Sequence, residues 1–385
     1  MSNKKSPEGA APLVRLGDIV DNINDFFDHE VGDTLKYVAG EHIDEGDLRV
    51  RRYGQTSDDL VPPTFSRLFK AGDVLFHSRN IRKLARPDFD GLTGEKLFVL
   101  RSKDSAKLLQ EFLPFLLQSA QFGRYVEERW AGSTNKFLNK TPLMAFEFSL
   151  PSVEKQRRAV RLLGAIDGQC EALLGALTAA TKIRKSMARR IFSAVDYPKV
   201  KMGSVAEVKN GSTPRRARDD YWKGSIPWLP TGKVNERVIL SADEFITDKA
   251  LAECSVSLIP AGATLVAMIG EGQTRGRAAM LTIDACINQN FGAVVPGKAL
   301  DPWYLFYLLD SNYEALRHWS QGTNQHALSC GLLKSFPISV PPLAVQQDVV
   351  AQLKEVESTE ALLSARLAKS RELRRVCHSM AFAME

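Results

Sequence analysis

The sequence predicts a mixed α+β fold built from two similar halves that follow one another along the chain. An internal repeat carries this prediction: residues 130–135 (WAGSTN) are matched by 319–324 (WSQGTN), and 14–17 (VRLG) by 200–203 (VKMG). The offset is 189 residues between the tryptophans and becomes 190 further on, after one inserted position. A repeat this long indicates a duplicated domain, because solenoid units are far shorter. It also predicts a pseudo-twofold axis.

The first part of each half reads as an irregular sheet domain. Short apolar runs follow turn residues, as in 71–76 (AGDVLF) and 260–268 (PAGATLVAM), which is typical of short strands. Helical stretches are expected over 107–130 and 302–319. We therefore predict two mixed domains over 14–151 and 197–341, preceded by a disordered lead-in over 1–13.

The second part of each half predicts a long helix, over 152–196 and 342–385. Residues recur there in steps of four and three and form one seam per helix, which indicates helix-on-helix packing of the coiled-coil type. We expect the two helices to pack antiparallel, with the polar seam positions fixing the register; the alternative is two separate helices, each lying on its own domain. The seam residues are Ile166, Cys170, Leu173, Leu177, Ala180, Arg184, Met187 and Ile191, and then Val356, Glu360, Leu363, Leu367, Ser370, Arg374, Cys377 and Ala381.

Composition limits the class of protein. The chain has 385 residues, a hydrophobic fraction of 44% and a net charge of +6, which permits nucleic-acid binding without requiring it. It contains no apolar run of the roughly 20 residues that a membrane span needs, so no membrane association is expected. The five cysteines are scattered and show no metal-ligand spacing, which favours a reducing cytoplasm.

Motifs for catalysis are missing. The nearest string to the base-holding loop of an amino-methyltransferase is 301–304 (DPWY), which reads better as a helix N-cap followed by proline in the first turn. Gly270, Gly272 and Gly276 lack the spacing of a phosphate-binding loop, and the histidines form no metal pair. No Gly-x-Ser-x-Gly motif occurs. The sequence therefore predicts a chain without an active site.

An ordered series of motifs resembles a known family. Residues 209–214 (KNGSTP) and 221–228 (YWKGSIPW) look like the opening of a target recognition domain, and 287–290 (INQN) and 341–346 (PPLAVQ) follow in the family's order. Over essentially its whole length the chain resembles the specificity subunit of a Type I restriction–modification system. It departs from the family's pattern at Lys155 and Val345, where a glutamate usually precedes the glutamine.

The resemblance implies a non-catalytic subunit that reads a bipartite, asymmetric duplex DNA target with a fixed spacer. It implies two methyltransferase (modification) subunits as partners, docked near Gln156 and Gln346, with S-adenosylmethionine bound to them and no cofactor on this chain. Nuclease/translocase (restriction) subunits are expected to join them. Two rival interpretations stay open: a DNA-recognition subunit of a different phage-defence methylation system, and a coiled-coil scaffold with no role on DNA.

Candidate DNA-contacting residues follow from the chemistry of base readout, in which Arg or Lys bind guanine and Asn or Gln bind adenine. We expect Trp222 and Trp228 to be core anchors rather than base-stacking groups, and Asn288 and Gln289 to be structural. Equivalent turns at 134–136 and 323–325 are expected to contact phosphates or to hold structure. The candidates are Arg79, Asn80, Arg82, Lys83, Thr134, Asn135 and Lys136 in the first half, and Ser212, Thr213, Arg215, Arg216, Lys233, Asn235, Gln273, Thr274, Arg275, Arg277, Thr323, Asn324 and Gln325 in the second.

Overall fold

The computed structural model describes residues 13–27, 34–57, 64–194, 197–270, 272–319 and 327–383. The chain divides into two compact units: residues 1–173 with 366–385 form unit 1, and residues 174–365 form unit 2. The predicted lead-in lies outside the described residues except for Leu13, and so does the predicted turn of Thr323, Asn324 and Gln325.

The described residues of unit 1 form ten strands in three sheets. One sheet has the order β2-β9-β6-β7, a second has the order β4-β3-β8-β5, and β1 pairs antiparallel with β10. The strands are β1 (Leu13–Arg15), β2 (Val20–Asn22), β3 (Lys36–Val38), β4 (Gly54–Gln55), β5 (Arg67–Phe69), β6 (Val74–His77), β7 (Leu84–Ala85), β8 (Gly91–Thr93), β9 (Leu97–Ser102) and β10 (Glu147–Ser149).

In unit 2, the part of the chain that the structure describes forms eleven strands with a closely similar plan. Its sheets have the orders β12-β20-β17-β18-β14 and β15-β13-β19-β16, and β11 pairs antiparallel with β21. The strands are β11 (Lys199–Lys201), β12 (Ala206–Asn210), β13 (Trp222–Leu229), β14 (Val238–Ile239), β15 (Glu244–Ile246), β16 (Leu258–Ile259), β17 (Thr264–Ala267), β18 (Ala278–Leu281), β19 (Ala285–Ile287), β20 (Phe291–Pro296) and β21 (Pro337–Ser339).

The strand pairing of the two units corresponds for ten strands of each, and β14 of unit 2 has no counterpart among the described residues of unit 1. In each, the first strand pairs with the strand before the long helix, and the following strand lies at the edge of the sheet that contains β6 or β17. The turns before β6 and β17 also match: Gly72 has φ +88° and Gly262 has φ +90°, a conformation that favours glycine in both copies. The prediction of a mixed fold of helices and strands is confirmed.

The helices comprise eight short or medium elements and two long ones among the described residues. They are α1 (Leu16–Ile19), α2 (Leu113–Leu117), α3 (Ala120–Glu127), α4 (Lys140–Met144), α5 (Val153–Ala194), α6 (Asp248–Glu253), α7 (Pro302–Ser311), α8 (Tyr313–Trp319), α9 (Cys330–Ser335) and α10 (Leu343–Ala383). No helix in the described part of the chain is long and apolar enough to cross a membrane.

Two helical stretches are more broken than the sequence predicts. The stretch over 107–130 contains α2 and α3, because Ser119 leaves the helical conformation and its Oγ accepts a hydrogen bond from Phe122 N, which starts a new helix. The stretch over 302–319 divides at Asn312 into α7 and α8. The predicted cap at Asp301 is present: its Oδ1 accepts from the backbone N–H groups of Trp303 and Tyr304 at 2.9 and 3.0 Å.

Segments of both long helices pack antiparallel within each unit. In unit 1, Val160 of α5 packs in the core that also contacts Phe382 of α10, while Asp167 binds Arg374. In unit 2, the core around Leu353 of α10 includes Ala188 of α5, and Arg184 binds Glu360. All sixteen predicted seam positions are buried or half-buried, as expected for packed helix faces.

Candidate nucleic-acid interface

The candidate loops of unit 2 leave the same end of its five-stranded sheet. Strand β12 ends at Asn210, which pairs with Gly292 near the start of β20, and β17 ends at Ala267, which pairs with Phe291. The loops that follow β12 and β17 therefore begin side by side. The short 3-10 segment 231–236 precedes β14, which runs parallel to β18, so it reaches the same end.

The loop after β12 lies close against strand β19. A Cβ added to Gly211 would lie 2.0 Å from the carbonyl oxygen of Ile287, so only glycine fits there. Ser212 N donates to that oxygen at 2.9 Å, and the carbonyl of Ser212 accepts from Trp228 Nε1 at 3.1 Å. Thr213 Oγ1 donates to Gln289 Oε1 at 2.6 Å. Ser212 and Thr213 thus have partners within the unit that hold the loop in place.

The guanidinium of Arg216 makes cation–π contacts with two tryptophan rings. Its Cζ lies 3.9 Å from the ring centre of Trp222 and 4.8 Å from that of Trp228, and its guanidinium also binds Glu244. Trp228 is 2% exposed and is a core anchor as predicted, whereas Trp222 is half-buried and forms part of the arginine's support. An arginine fixed in this way loses little conformational freedom when it forms further hydrogen bonds.

Arg215, next to it, is exposed and contributes its backbone carbonyl to Trp222 Nε1 at 3.2 Å. No carboxylate lies within 4 Å of its side chain among the residues that the structure describes. The adjacent arginines therefore differ: the guanidinium of Arg216 is positioned, and that of Arg215 extends into solvent.

A second cluster of polar side chains joins two loops. Arg277 donates through Nη1 to Asn235 Oδ1 at 2.6 Å and through Nη2 to Gln273 Oε1 at 3.1 Å. The loop is fixed further by Tyr313, whose hydroxyl donates to the carbonyl of Gln273, and by Gly276, which has φ +83°. Exposed donors and acceptors of this kind are the groups that read base edges.

Two predicted DNA contacts in unit 2 need correction. Lys233 is 7% exposed, and its Nζ binds Glu236 at 2.6 Å and Asp243 at 2.9 Å, so its charge is neutralised within the unit. Arg275 is also 7% exposed, and its Nε has no hydrogen-bond partner among the described residues. Neither side chain, as placed, is available to DNA. Thr274 is half-buried, and its carbonyl accepts from Arg277 N at 3.0 Å.

In unit 1 the candidate residues lie in the turn between β6 and β7, at the corresponding end of its sheet. Arg79 and Arg82 are exposed, and the side chain of Arg82 lies 3.9 Å from Glu45. Asn80 donates to Glu45 Oε1 at 2.8 Å and accepts from Arg82 N at 3.0 Å. Lys83 is half-buried and donates to the carbonyl of Gly40 at 2.6 Å, so its ammonium group supports the turn rather than extending from it.

The turn of Thr134, Asn135 and Lys136 is fully exposed in unit 1. It is closed by the bridge between Ala131 and Phe137, whose backbone groups bond at 2.9 Å in both directions. Gly132 within it has φ +84°. The predicted roles of the three side chains in phosphate contact remain predictions.

The side chains of Gln156 and Gln346 are fully buried and so do not themselves contact a partner, and docking of partners near them stays a prediction. Gln156 accepts from Leu109 N and donates to the carbonyls of Lys107 and Pro151, at 2.8–2.9 Å. Gln346 makes the same three bonds 190 residues later, accepting from Asp301 N and donating to the carbonyls of Ala299 and Pro341. Each glutamine fixes the start of a long helix to its own unit.

Sequence reasoning missed the acidic supports of the candidate arginines. Glu244 and Glu45 are far from their partners in sequence, and only strand pairing brings β15 beside β13. A carboxylate that holds an arginine has no local motif, so no sequence signal identified them. Among the described residues, no group of three histidines, cysteines or acidic side chains is placed to bind a metal ion.

Comparisons with known proteins agree with this architecture. Residues 194–369 match the family model described as "Type I restriction modification DNA specificity domain". The chain is 23% identical over 291 residues to the Type I restriction enzyme EcoR124I/EcoR124II specificity subunit of Escherichia coli, covering 72% of this chain and 70% of that one.

Two solved structures have a similar fold. A Type I restriction-modification system S subunit from M. genitalium aligns with a TM-score of 0.61 at 12% identity, covering 100% of both chains. A chain from a structure of a type I R-M system aligns with a TM-score of 0.61 at 17% identity, covering 98% of this chain and 99% of that one. The predicted resemblance to Type I restriction–modification specificity subunits is confirmed: the family model matches residues 194–369, and the specificity subunit of Escherichia coli aligns over 72% of the chain.

Proposed function

We propose that this chain is the DNA-recognition subunit of a Type I restriction–modification complex and that each unit reads one part of a bipartite, asymmetric target. One observation carries the proposal: two units with closely similar strand pairing present different polar side chains at the same end of corresponding sheets. Equivalent scaffolds with different loops suit a target whose two parts differ in sequence.

The exposed groups have the chemistry that readout requires. In unit 2, Arg216 and Arg277 are held in place and offer guanidinium donors that suit guanine, and Asn235 and Gln273 offer amides that suit adenine. In unit 1, the exposed side chains of Arg79 and Arg82 have the corresponding role. Arg215 extends into solvent and suits a base or a phosphate.

The long helices would set the distance between the two parts of the target. With 42 and 41 residues, α5 and α10 each reach about 60 Å. We propose that they form one antiparallel coiled coil with pseudo-twofold symmetry, and that this rigid pair keeps the unread spacer constant. The antiparallel contacts found within each unit support this arrangement.

The chain is proposed to be non-catalytic and to act through partners in the cytoplasm. Two modification subunits, one per unit, would bind S-adenosylmethionine and flip the target adenine out of the duplex. Restriction subunits would join the same complex. We propose that this chain binds no cofactor of its own and that, without its partners, it binds DNA weakly.

Methylome sequencing tests the proposal. A host would express the chain with its candidate methyltransferase partner, in wild-type form and as the double variant Arg215→Ala with Arg277→Ala. We expect a split methylated motif with a fixed gap, of which only one part is altered or lost in the variant. Lys298→Ala is the control, because this exposed residue follows β20 at the opposite end of the sheet.

A second variant tests whether unit 1 reads the other part of the motif. Arg79→Ala should alter the other part of the motif and leave the part affected by Arg215 and Arg277 unchanged. If an active methyltransferase partner yields no split motif with the wild-type chain, the DNA-recognition proposal fails and a scaffold role takes its place.

A further inference from the structure

Unit 1 contains a cleft lined by four arginines, of which only Arg82 belongs to the candidate base-reading turn. The cleft has a volume of about 460 Å³ and lies between the turn 81–82, the end of α2 with the start of α3, and one face of α10. Four of its lining residues are arginines: Arg82, Arg371, Arg374 and Arg375. All of them belong to unit 1.

The positive charge of this cleft exceeds the negative charge near it. Arg374 is bound to Asp167, and Arg82 lies 3.9 Å from Glu45, which also lines the cleft. Arg371 and Arg375 are exposed and have no carboxylate within 4 Å among the residues that the structure describes. Two arginines therefore remain without a counter-ion in a concave site, which is the arrangement that attracts an anion.

Contacts beneath the cleft fix the position of Arg374 and of the helices around it. Arg374 donates to Gln118 Oε1 at 3.1 Å, and this contact joins α10 to the C-terminus of α2. The eight-residue helix α3 begins at the cleft with Ser119 as its cap, so its positive end also faces the site. His378 is 9% exposed and lies 2.9 Å from the carbonyl of Phe115, which anchors α10 at the same place.

The corresponding place in unit 2 lacks this excess of charge. Arg184, which occupies the position of Arg374 in the repeat, lies near two carboxylates, those of Glu360 at 3.1 Å and Asp310 at 3.7 Å. The repeat places Thr181 and Lys185 where unit 1 has Arg371 and Arg375. The cleft is thus a feature of unit 1 and not a general property of the duplicated scaffold.

We infer that this cleft binds the phosphate backbone of the DNA beside the part of the target that unit 1 reads, with Arg371 and Arg375 as the phosphate-contacting residues. The inference rests on the proposed function. The cleft lies next to the candidate base-reading turn, because Arg82 lines the cleft and belongs to the turn that carries Arg79 and Asn80. Guanidinium groups fit phosphate oxygens in bidentate geometry. Because backbone contacts carry no sequence information, these arginines would position the DNA without selecting bases.

The salt dependence of DNA binding tests the inference. The probe is a fluorescently labelled duplex containing the split motif found by methylome sequencing, titrated with the complex of this chain and its methyltransferase partner. Each phosphate contact contributes about 0.9 to the slope of log K against log salt, so Arg371→Ala with Arg375→Ala should reduce the slope by about 2. At fixed salt, affinity should fall roughly tenfold, and the methylated motif should not change.

The matched control removes two positive charges from another face of α10. Arg366 and Lys369 are exposed and do not line the cleft, so Arg366→Ala with Lys369→Ala should leave the slope at its wild-type value. Thermal midpoints of both double variants are measured first, and both should match wild type because all four side chains are exposed.

Several outcomes would overturn the inference. An unchanged slope in the cleft variant, or an equal reduction in the control, would show that the cleft holds no phosphate. A changed methylated motif would assign base reading to these arginines instead. If the cleft variant loses the methyltransferase subunit but keeps the wild-type slope, the cleft binds an acidic surface of that protein and not DNA. If the wild-type complex does not bind the duplex, the proposed function itself fails. Failure of the proposed function is thus distinguishable from failure of the inference about the cleft.

Discussion

The guanidinium of Arg184 in α5 binds the carboxylate of Glu360 in α10 through Nε, at 3.2 and 3.1 Å from the two oxygens. The side chains are 8% and 16% exposed, so the pair is largely removed from water. Nearby, Arg237 binds both Glu357 and Asp310. Two of the polar seam positions, Arg184 and Glu360, thus lie in an ion-pair network within unit 2, in keeping with a role in register.

Arg184→Ala should lower the free energy of unfolding by roughly 3 kcal/mol, because it leaves the carboxylate of Glu360 buried without its partner. Replacing both residues, by Arg184→Met with Glu360→Leu, should restore most of the stability. Urea unfolding followed by circular dichroism measures both effects. Arg189→Ala, at an exposed position of the same helix, is the control; a loss as large as that of Arg184→Ala would contradict the prediction.

Gln346→Leu should destabilise unit 2 by roughly 3 kcal/mol, because three buried backbone groups lose their hydrogen-bond partner. The chain offers a control at the next position, since Gln347 is exposed and Gln347→Leu should change stability by less than about 0.5 kcal/mol. Thermal unfolding compares the two. Similar midpoints for both variants would show that the buried bonds contribute little.

Trp222→Ala should weaken binding of the methylated DNA motif roughly tenfold, because Arg216 loses the ring that holds its guanidinium. Trp222→Phe should retain most of the affinity, since a smaller ring still supports the arginine. Fluorescence anisotropy with the partner complex measures this difference. Equal affinities for the two variants would indicate that the stacking serves only the fold.

Unit 1 should lose stability as pH falls below about 6.5, the ordinary pKa of histidine. Burial lowers the pKa of His378, and Arg374 lowers it further, although the bond to the Phe115 carbonyl opposes them. Burial also lowers the pKa of His77. Below about pH 6.5 the unfolded chain therefore takes up protons that the folded chain does not. The neutral histidines contribute their full stabilisation above this pH, and the stabilisation is lost as the pH falls below it.

His378→Gln should reduce this pH dependence, because glutamine can donate to the same carbonyl without titrating. The measurement is the urea midpoint at pH 7.5 and pH 5.5 for wild type and variant. His318→Gln, at an exposed position of unit 2, should leave the wild-type dependence intact. If His378→Gln loses as much stability between pH 7.5 and pH 5.5 as wild type does, His378 is not the source of the pH dependence.

Patterns that are local or repeated were predictable from the sequence. The duplication predicted two domains, and β1 with β10 and β11 with β21 pair in the same way. Asp301 before Pro302 predicted a helix start because the cap needs only neighbouring residues. The helical spacing of seam residues such as Leu367 and Ala180 predicted which faces are buried.

Long-range placement was not predictable. Lys233 appeared to be a solvent-exposed reader, since only the fold brings Asp243 to it. Gln156 and Gln346 appeared to be docking residues, because a repeated polar residue gives no sign of whether it points outward or caps buried carbonyls. The helix predicted over 342–385 was assigned to the second half of the chain, whereas its residues 366–383 belong to unit 1.

The membership of residues 366–383 in unit 1 affects how the protein is made. Their partners are synthesised early: the ring of Phe382 stacks on Phe112 at 5.4 Å, and His378 bonds the carbonyl of Phe115. The segment follows residue 173 by nearly 200 residues, a delay of roughly 10–40 s at ordinary translation rates. During that interval the apolar surface around Phe112 lacks its cover. A ribosome-bound chain therefore holds unit 1 in an incomplete state, open to chaperones, until α10 has been made.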